Sequence, residues 1–510
     1  MNIQKKEVLI NCPAIKATSS AIVDSDAIVN DSKPDLLKII KICPVVKVSK
    51  TELLNGKMMV SGHISYTVIY QPEDASGVCS LHTSADFSHM EENPDFKEGM
   101  YCDVIADAEH IECELINSRK IKIKTVLSLD VSVYSQIPIM LPISVDGDNL
   151  QIKCGQFDGV SRFLQKRDII TISDSITIPA GKPNVGNLLK SDVCISNKDI
   201  KIISGKVIIK GDLVMSCMYI PESSPEIECF SQNMPFTEIL DAEGIKEDSK
   251  CSVRTNVDEC DISLATDSDG DIRVLNTNVR IGVKISADAP ISETVVTDLY
   301  SLTDNLDINY KIVNVTSPIS STDFDHTLKC SLRPNITQVI TSVYGMEAKP
   351  YITSALMSDG KMIIDGLVDI SYLCTTADRN CPLMSLSDET PFKIECMVPS
   401  SPEGAKPSAD IEINTINYNL GASGEVDLRI VMSCHAEVCK DEKVRIVDSI
   451  ASSERANEKS PSIVLYFVQK GDTLWDIAKR YHTKTEYIEE LNGDNCSPLV
   501  EGSHLMIPRG

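Results

Sequence analysis

Through most of the chain, apolar and polar residues alternate one by one, which is the pattern of β-strands with one buried and one solvated face. The run Val426, Leu428, Ile430 and Met432 is a clear instance. Helical periodicity is nearly absent before residue 463. The pattern therefore predicts a mainly β protein built from antiparallel sheets.

A short motif, Gly-Lys-x-x-(Val/Ile)-x-Gly, occurs three times, and each copy runs into a strand-like segment. A phenylalanine follows each copy at nearly constant spacing. The copies begin at Gly56, Gly205 and Gly360, and the phenylalanines are Phe87, Phe236 and Phe392. Three anchors in such regular register predict three related domains in tandem.

Each repeat is also predicted to end in a β-hairpin. Its two strands are predicted at 102–115 and 121–133, at 251–264 and 272–285, and at 408–420 and 426–438. In the second repeat the turn is Asp269-Gly270, a strong hairpin signal between alternating runs. We therefore predict three tandem antiparallel β-sandwich or barrel-like domains.

The predicted boundaries follow from these anchors. The repeats are assigned to residues 1–150, 151–318 and 319–447. Residues 448–462 are rich in Ser, Glu and Lys and are interpreted as a linker. Residues 463–510 form a small predicted domain that we call the tail module.

The tail module is predicted to begin with a strand and a helix. A β-branched and aromatic run at 464–468 indicates the strand, and Gly471 ends it. Asp472 is predicted to cap the helix. One apolar helical face is formed by Leu474, Ile477, Ala478 and Tyr481.

A second helix is predicted from about Thr485, with Tyr487, Ile488 and Leu491 turned inward. Asn492-Gly493 is predicted to end it, because glycine favours the left-handed position after a helix. A short strand at 504–507 completes a βααβ order.

Charge and composition narrow the function classes. The net charge of −25 argues against binding to nucleic acids and to anionic membranes, which attract clustered Lys and Arg. No apolar run approaches the roughly 20 residues of a membrane span, and the N-terminus lacks an apolar signal core, so we expect a protein that is not exported. The 18 cysteines are scattered singly and are expected to be reduced thiols.

No catalytic constellation is recognisable in the sequence. It has no G-x-S-x-G elbow, no HExxH and no phosphate-binding loop. Alternating Asp267, Asp269 and Asp271 suggest a calcium loop, but Ile272 and Asn278 stand where an EF-hand needs Gly and Glu. That segment is interpreted as a hairpin turn, and we predict no enzyme activity, no cofactor and no metal site.

The tail module resembles a LysM domain in its strand, Gly471-Asp472-Thr473, apolar helix stripe and final strand before Pro508. The resemblance implies a binding groove between two loops and, as ligand, either an N-acetylglucosamine polymer or a protein. The groove residues implied are Gly471, Asp472, Thr473 and Leu474 in the first loop, and Ser497, Pro498, Leu499, Val500, Glu501 and Gly502 in the second.

The whole architecture, three acidic β-repeats followed by one LysM-like module, resembles the SipL-type spore coat morphogenetic proteins of clostridia. The segment Asp298-Leu299-Tyr300-Ser301 is similar to that family as well. The resemblance implies a scaffold in spore coat assembly, located in the mother-cell cytoplasm at the forespore surface. Its LysM module would bind the SpoIVA-type ATPase of the basement layer, and other coat proteins are further implied partners.

Under that interpretation, the first helix and its flanks face the partner through Asp472, Leu474, Trp475, Ile477 and Lys479. Leu474 and Ile477 have a competing assignment to the core of the module, which their spacing favours. Trp475, the single tryptophan of the chain, fits either assignment. Binding of N-acetylglucosamine polymers in peptidoglycan or cortex remains the alternative function.

Overall fold

The computed structural model describes residues 2–12, 15–73, 77–247, 249–334, 336, 338–376, 383–398, 404–422, 424–454, 462–496 and 498–508. Three β-repeats and a small C-terminal module make up this part of the chain. All described sheets are antiparallel, so the predicted mainly β class is confirmed.

The first repeat contains eight strands, β1 (Asn2–Asn11), β2 (Ile15–Ile28), β3 (Leu36–Leu54), β4 (Lys57–Pro72), β5 (Cys79–Glu92), β6 (Tyr101–Asn117), β7 (Lys120–Tyr134) and β8 (Gln136–Asp146). Strands β3-β4-β5 form one sheet and β2-β7-β6 a second. Strands β1 and β8 pair with each other in a separate two-stranded ribbon.

The second and third repeats have the same strand order, with longer first and last strands. The second repeat comprises β9 (Leu150–Thr177), β10 (Val185–Ile203), β11 (Lys206–Pro221), β12 (Glu228–Asp241), β13 (Lys250–Thr266) and β14 (Ile272–Ser301). The third comprises β15 (Asn305–Leu332), β16 (Ile340–Ser358), β17 (Lys361–Thr376), β18 (Met384–Met397), β19 (Ala405–Leu420) and β20 (Val426–Ser453). Their sheets are β10-β11-β12, β13-β14-β9, β16-β17-β18 and β15-β20-β19.

The three repeats are β-sandwiches, each with its own core between its two three-stranded sheets. Strand β17 shows how the alternation produces this core, because Met362, Ile364, Val368 and Ile370 are fully buried while their neighbours are not. The alternation that predicted the strands therefore also selects the buried face.

The repeated motif has a structural reason in all three repeats. Its first glycine has a positive φ, +79° at Gly56 for example, and makes the turn into the central strand of the sheet. Its second glycine lies directly opposite the repeated phenylalanine on the next strand. These cross-strand pairs are Gly62 with Phe87, Gly211 with Phe236, and Gly366 with Phe392. The phenylalanine ring covers the glycine, so both positions depend on each other.

The turn predicted at Asp267–Asp271 joins β13 to β14. The Asp267 carboxylate accepts hydrogen bonds from the backbone N–H groups of Asp269 and Asp271, at 2.9 and 3.0 Å. Gly270 has φ of +88°. The carboxylate thus satisfies the backbone of a hairpin turn.

The first and last strands of each repeat continue beyond the sandwich as a two-stranded ribbon. The ribbons pair residues 2–11 with 136–146, 150–161 with 289–301, and 305–318 with 439–453. We call these three ribbons together the stem. They share one apolar core, formed by Ile10, Ile139, Leu141, Phe157, Val295, Val313, Val315 and Ile446. Each ribbon contacts both others, so the stem closes the three repeats into one block.

The stem shows how the predicted boundaries differ from the strand organisation. Residue 318 lies inside β15 and residue 448 inside β20, and both strands are paired along their length. Each repeat begins and ends in the stem, which places the transitions at the short connections after Asp146 and after Ser301. Of the predicted linker, residues 448–453 belong to β20, and residues 455–461 lie outside the described residues.

A second junction joins the central sheets of the three repeats. Its apolar part contains Ile69, Val78, Leu189, Met218, Leu373 and Leu383. Beside it, the ammonium group of Lys190 contacts Glu347 at 2.6 Å and also contacts Asp192. Lys41 contacts the other Glu347 oxygen at 3.1 Å. One carboxylate of the third repeat thus bridges lysines of the first and the second.

A charged group that is buried away from water destabilises the fold unless an opposite charge is paired with it. Lys190 is 4% exposed, whereas Glu347 is only half-buried. Burial alone would raise the pKa of Glu347, but Lys190 and Lys41 outweigh it and lower the pKa to about 2. Ion pairs at the outer edges connect the repeats as well, including Lys47–Glu259 and Lys349–Asp107.

Among the described residues, no helix is both long enough and apolar enough to cross a membrane.

We expect Gly366→Ala to destabilise the protein by about 1–3 kcal/mol through overpacking. A Cβ at this position would overlap the Phe392 ring and the backbone carbonyl of Tyr351. At Gly211 the same Cβ would lie 3.1 Å from Phe236, so Gly211→Ala should cost less. Denaturant unfolding of the variants measures the difference. Gly181→Ala is the control, because nothing lies within 4 Å of its Cβ position; equal losses for all three would contradict the role of the Gly–Phe pairs.

We expect Glu347→Gln to lower the free energy of unfolding by on the order of 2 kcal/mol at neutral pH, since it removes a charged partner from the buried Lys190. Because the folded pKa of Glu347 is depressed, its contribution is complete above the reference value of 4.5 and is lost as the pH falls towards 2. Denaturant unfolding between pH 6 and 2 should therefore show a smaller acid-induced loss in the variant. Glu395→Gln, which breaks an exposed pair with Lys361, is the control; a wild-type acid profile in Glu347→Gln would refute this contribution.

Candidate functional site

The tail module has the predicted βααβ order. It consists of β21 (Ile463–Phe467), α1 (Leu474–Tyr481), α2 (Thr485–Asn492), a 3₁₀ turn at Gly493–Cys496 and β22 (His504–Pro508). Strands β21 and β22 pair antiparallel, from Ile463 opposite Pro508 to Phe467 opposite His504. The core between sheet and helices contains Tyr466, Val468, Ile477, Ala478, Ile488, Cys496, Leu505 and Ile507.

The start of α1 differs from the prediction. Thr473, rather than Asp472, is the N-cap residue, and its hydroxyl accepts a hydrogen bond from the backbone of Asp476 at 3.2 Å. Asp472 instead accepts hydrogen bonds from the Tyr466 hydroxyl at 2.6 Å and the Gln469 backbone at 2.9 Å. The Tyr466 hydroxyl holds the pKa of the Asp472 carboxyl below its usual value. Asp472 therefore closes the loop that leads into the helix.

The burial of side chains on helix α2 also differs from the prediction that three of them turn inward. Ile488 is fully buried, but Tyr487 and Leu491 are 46% and 38% exposed. Gly493 follows the helix, as predicted, but its φ of +56° and ψ of −132° lie outside the left-handed helical region that the sequence analysis expected. A helix of only two turns can place few side chains against a two-stranded sheet, and on α2 the side chain placed there is Ile488.

Two of the residues predicted to face a partner belong to the core of the module. Ile477 is 1% exposed, and Leu474 packs partly buried against the same cluster. Their helical spacing places them towards the sheet, as the competing interpretation required. Ile477 is therefore removed from the predicted binding surface.

Trp475 and Lys479 lie one helical turn apart on α1 and face the stem. The Trp475 Nε1–H donates to Asp298 at 2.8 Å, and the Lys479 ammonium group donates to the other oxygen of the same carboxylate. The Tyr310 hydroxyl donates to Asp298 as well, at 2.6 Å. Burial would raise the pKa of Asp298, but the hydrogen bonds from Lys479, Tyr310 and Trp475 outweigh it and lower the pKa.

A second set of contacts surrounds Tyr300 of β14. Its ring meets the Trp475 ring edge to face at 4.9 Å between centroids, and its hydroxyl donates to the Thr483 carbonyl at 2.7 Å. Tyr300 is 3% exposed and belongs to the core cluster of the tail module. His482 Nδ1 lies 2.8 Å from the Ser301 carbonyl oxygen. We call Asp298, Tyr300 and Ser301 the clasp.

The loops assigned to a LysM groove are largely open to solvent. Gly471, Thr473, Pro498, Glu501 and Gly502 are exposed, and Val500 is 61% exposed. Leu499 packs partly buried against the core of the module, and Ser497 lies outside the described residues. The Gly502 backbone N–H donates to the Val468 carbonyl at 2.8 Å, which fixes the second loop beside the first.

Sequence reasoning missed an apolar surface on the outer face of the tail-module sheet. Ile463, Leu465 and Phe467 of β21 are 54%, 55% and 60% exposed, and Met506 of β22, opposite Leu465, is 41% exposed. We call these four residues the strand face. Alternation gives the signal, because Val464 and Tyr466 turn inward and leave the other three outward.

Within the described residues, no group of three or more His, Cys, Asp or Glu side chains is arranged to hold a metal ion. The described cysteines are all free thiols. Burial raises the pKa of the most enclosed ones, to about 12 at Cys217 for example, which makes them poor nucleophiles.

Comparison with known families agrees with this architecture. Residues 35–116 and 184–265 match the model described as SipL, SPOCS domain, and residues 466–508 match the LysM domain. The predicted SipL-type architecture is confirmed. The third repeat has the strand order of the two matched SPOCS repeats. No curated protein and no solved structure gave a match.

These domains identify a spore-coat-related protein that contains a LysM domain. SPOCS and LysM domains are binding or scaffold modules, without catalytic chemistry of their own. The tail module is the LysM domain of this chain, and it carries both the open loops and the strand face.

Proposed function

We propose that this SipL-type protein is a non-enzymatic scaffold of spore coat assembly whose LysM tail module binds the SpoIVA-type ATPase of the coat's basement layer. The observation that carries the proposal is the strand face, where four large apolar side chains point into solvent. Contiguous exposed apolar residues mark protein interaction sites. Aromatic and methionine side chains are enriched at the centre of such interfaces.

The surroundings of the strand face suit a protein partner better than a sugar polymer. The predicted sugar groove lies between two loops and works through backbone amides and shallow apolar surface. The strand face lies instead on the outer side of a two-stranded sheet, away from both loops, with Phe467 and Leu465 as its most exposed members. A contiguous exposed apolar surface of this kind is typical of protein–protein contact.

The scaffold role rests on the family resemblance and on the closed block of three repeats. In the proposed arrangement, the protein acts in the mother-cell cytoplasm at the forespore surface. The tail module holds the basement-layer ATPase, while the repeats offer separate surfaces to other coat proteins. Several weak contacts on one block raise the effective concentration of each binding partner.

A second candidate function is binding of N-acetylglucosamine polymers by the two open loops. The observation in its favour is that Gly471, Thr473, Val500 and Gly502 are exposed. The described hydrogen bonds and ion pairs between tail module and stem come from Trp475, Lys479, His482 and Thr483, which lie outside these loops.

We expect Phe467→Asp to weaken binding to the SpoIVA-type ATPase at least tenfold, about 1.4 kcal/mol, because a charge would be buried at the centre of an apolar contact. Isothermal titration calorimetry of the full chain with the ATPase measures the affinity. Ile22→Asp is the matched control, since Ile22 is an apolar strand residue of the first repeat that is 65% exposed.

The same titration with N-acetylglucosamine oligomers separates the two functions. The proposal expects no saturable binding of the oligomers by the wild-type chain. Oligomer binding that Val500→Asp removes and Phe467→Asp leaves intact, together with no binding of the ATPase, would establish the second candidate instead.

A further inference from the structure

The tail module is attached to the stem at one of three equivalent positions. Each ribbon of the stem has a β-bulge near its end, and the bulged residues are Ile143, Thr297 and Asp448. Bulges redirect the side chains that follow them. The next residue is Ser144, Asp298 or Ser449 in the three ribbons, and two positions further lie Asp146, Tyr300 and Ala451.

Only the second ribbon therefore combines a carboxylate with a tyrosine at these positions. Asp298 receives donors from Trp475 and Lys479, and Tyr300 fills a place in the module's core. The first ribbon has Ser144 and Asp146 at this pair of positions, and the third has Ser449 and Ala451. Neither therefore has a carboxylate at the first position or a ring at the second. The clasp thus selects one docking site on a stem whose three ribbons are otherwise alike.

Hydrogen bonds and a ring contact join the tail module to the stem. The Asp298 carboxylate accepts three hydrogen bonds from other side chains, and the Tyr300 hydroxyl donates to the Thr483 carbonyl just after α1. The Asp298 carboxylate, the Tyr300 hydroxyl and the Thr483 carbonyl are thereby paired, whereas the buried Thr483 hydroxyl has no partner among the described residues. Lys479 also contacts the Tyr310 hydroxyl at 3.2 Å, which adds the third repeat to the interface. Lys153, opposite Asp298 on β9, lies 5.9 Å from the centre of the Trp475 ring.

We propose that the clasp is an intramolecular docking site that fixes the LysM module on the stem. Trp475 then supports partner binding by holding the module in this position rather than by touching the partner. Asp298 and Tyr300 are then positioning residues in the second repeat. Docking buries one face of α1 and leaves the strand face exposed to solvent. The statement about Trp475 and partner binding rests on the proposed function. The docking of the module on the stem does not.

Trp475 is the single tryptophan of the chain, so its fluorescence reports the docking directly. We expect Asp298→Ala in the full-length protein to shift Trp475 emission to longer wavelength and to raise acrylamide quenching about twofold, because the indole loses its acceptor and its cover. Asp307→Ala should leave both unchanged. Asp307 is an exposed carboxylate on the same stem and has no contact with the module among the described residues.

Hydrogen exchange of the β21 and β22 amides distinguishes undocking from unfolding of the module. These strands pair only within the module, so their protection should persist in Asp298→Ala. Tyr300→Phe, which removes only the hydroxyl bonded to Thr483, provides a milder second variant with a smaller change in quenching. Wild-type quenching in both variants would overturn the docking proposal.

A double-mutant cycle with the ATPase tests the role of Trp475. Trp475→Phe and Asp298→Ala break the same hydrogen bond from opposite sides. Asp298→Ala also removes the bonds from Lys479 and Tyr310. If Trp475 acts only by holding the module on the stem, Trp475→Phe should therefore lose no more affinity than Asp298→Ala, and the double variant should lose no more than Asp298→Ala alone. A loss in Trp475→Phe at least tenfold greater than in Asp298→Ala would show direct contact and overturn this part. A wild-type chain that does not bind the ATPase would refute the proposed function while leaving the fluorescence result intact.

Discussion

The shared core of the stem is the constraint on which the rest of this structure depends. A two-stranded ribbon has one apolar face and cannot bury it alone. Here Ile10, Phe157 and Val313, one residue from each ribbon, meet in a common core. Each repeat has its own sandwich core. The apolar face of the ribbon formed by its first and last strands, however, is buried only when the other two repeats are present. The three repeats therefore act as one block rather than as separate domains.

This constraint also explains how one LysM domain obtains a defined orientation. Three similar ribbons would offer three similar surfaces, yet only one ribbon matches the tail module. Its Asp298 accepts from Trp475 on α1, and its Tyr300 donates to the Thr483 carbonyl. The junction of Lys41, Lys190 and Glu347 breaks the symmetry in the same manner, with one repeat supplying the carboxylate and two supplying ammonium groups. Charge placement thus distinguishes repeats that are alike in backbone.

Much of the fold was predictable because its determinants are local. Alternation identified the strands, and the recurring glycines and phenylalanines identified the repeats, since Gly62 and Phe87 are cross-strand neighbours. The stem was not predictable, because no local pattern shows that residues near 10, 157 and 313 meet. The same limit applies to the site. Helical spacing placed Ile477 in the core, but the partner of Trp475 lies far away in sequence, at Asp298.

The most direct test of this account is an electron cryomicroscopy structure of the full chain bound to the SpoIVA-type ATPase. The account predicts density of the ATPase against Leu465 and Phe467, with Trp475 still hydrogen-bonded to Asp298 and the three ribbons still packed together. ATPase density inserted between Trp475 and Asp298, with the tail module lifted from the stem, would contradict it.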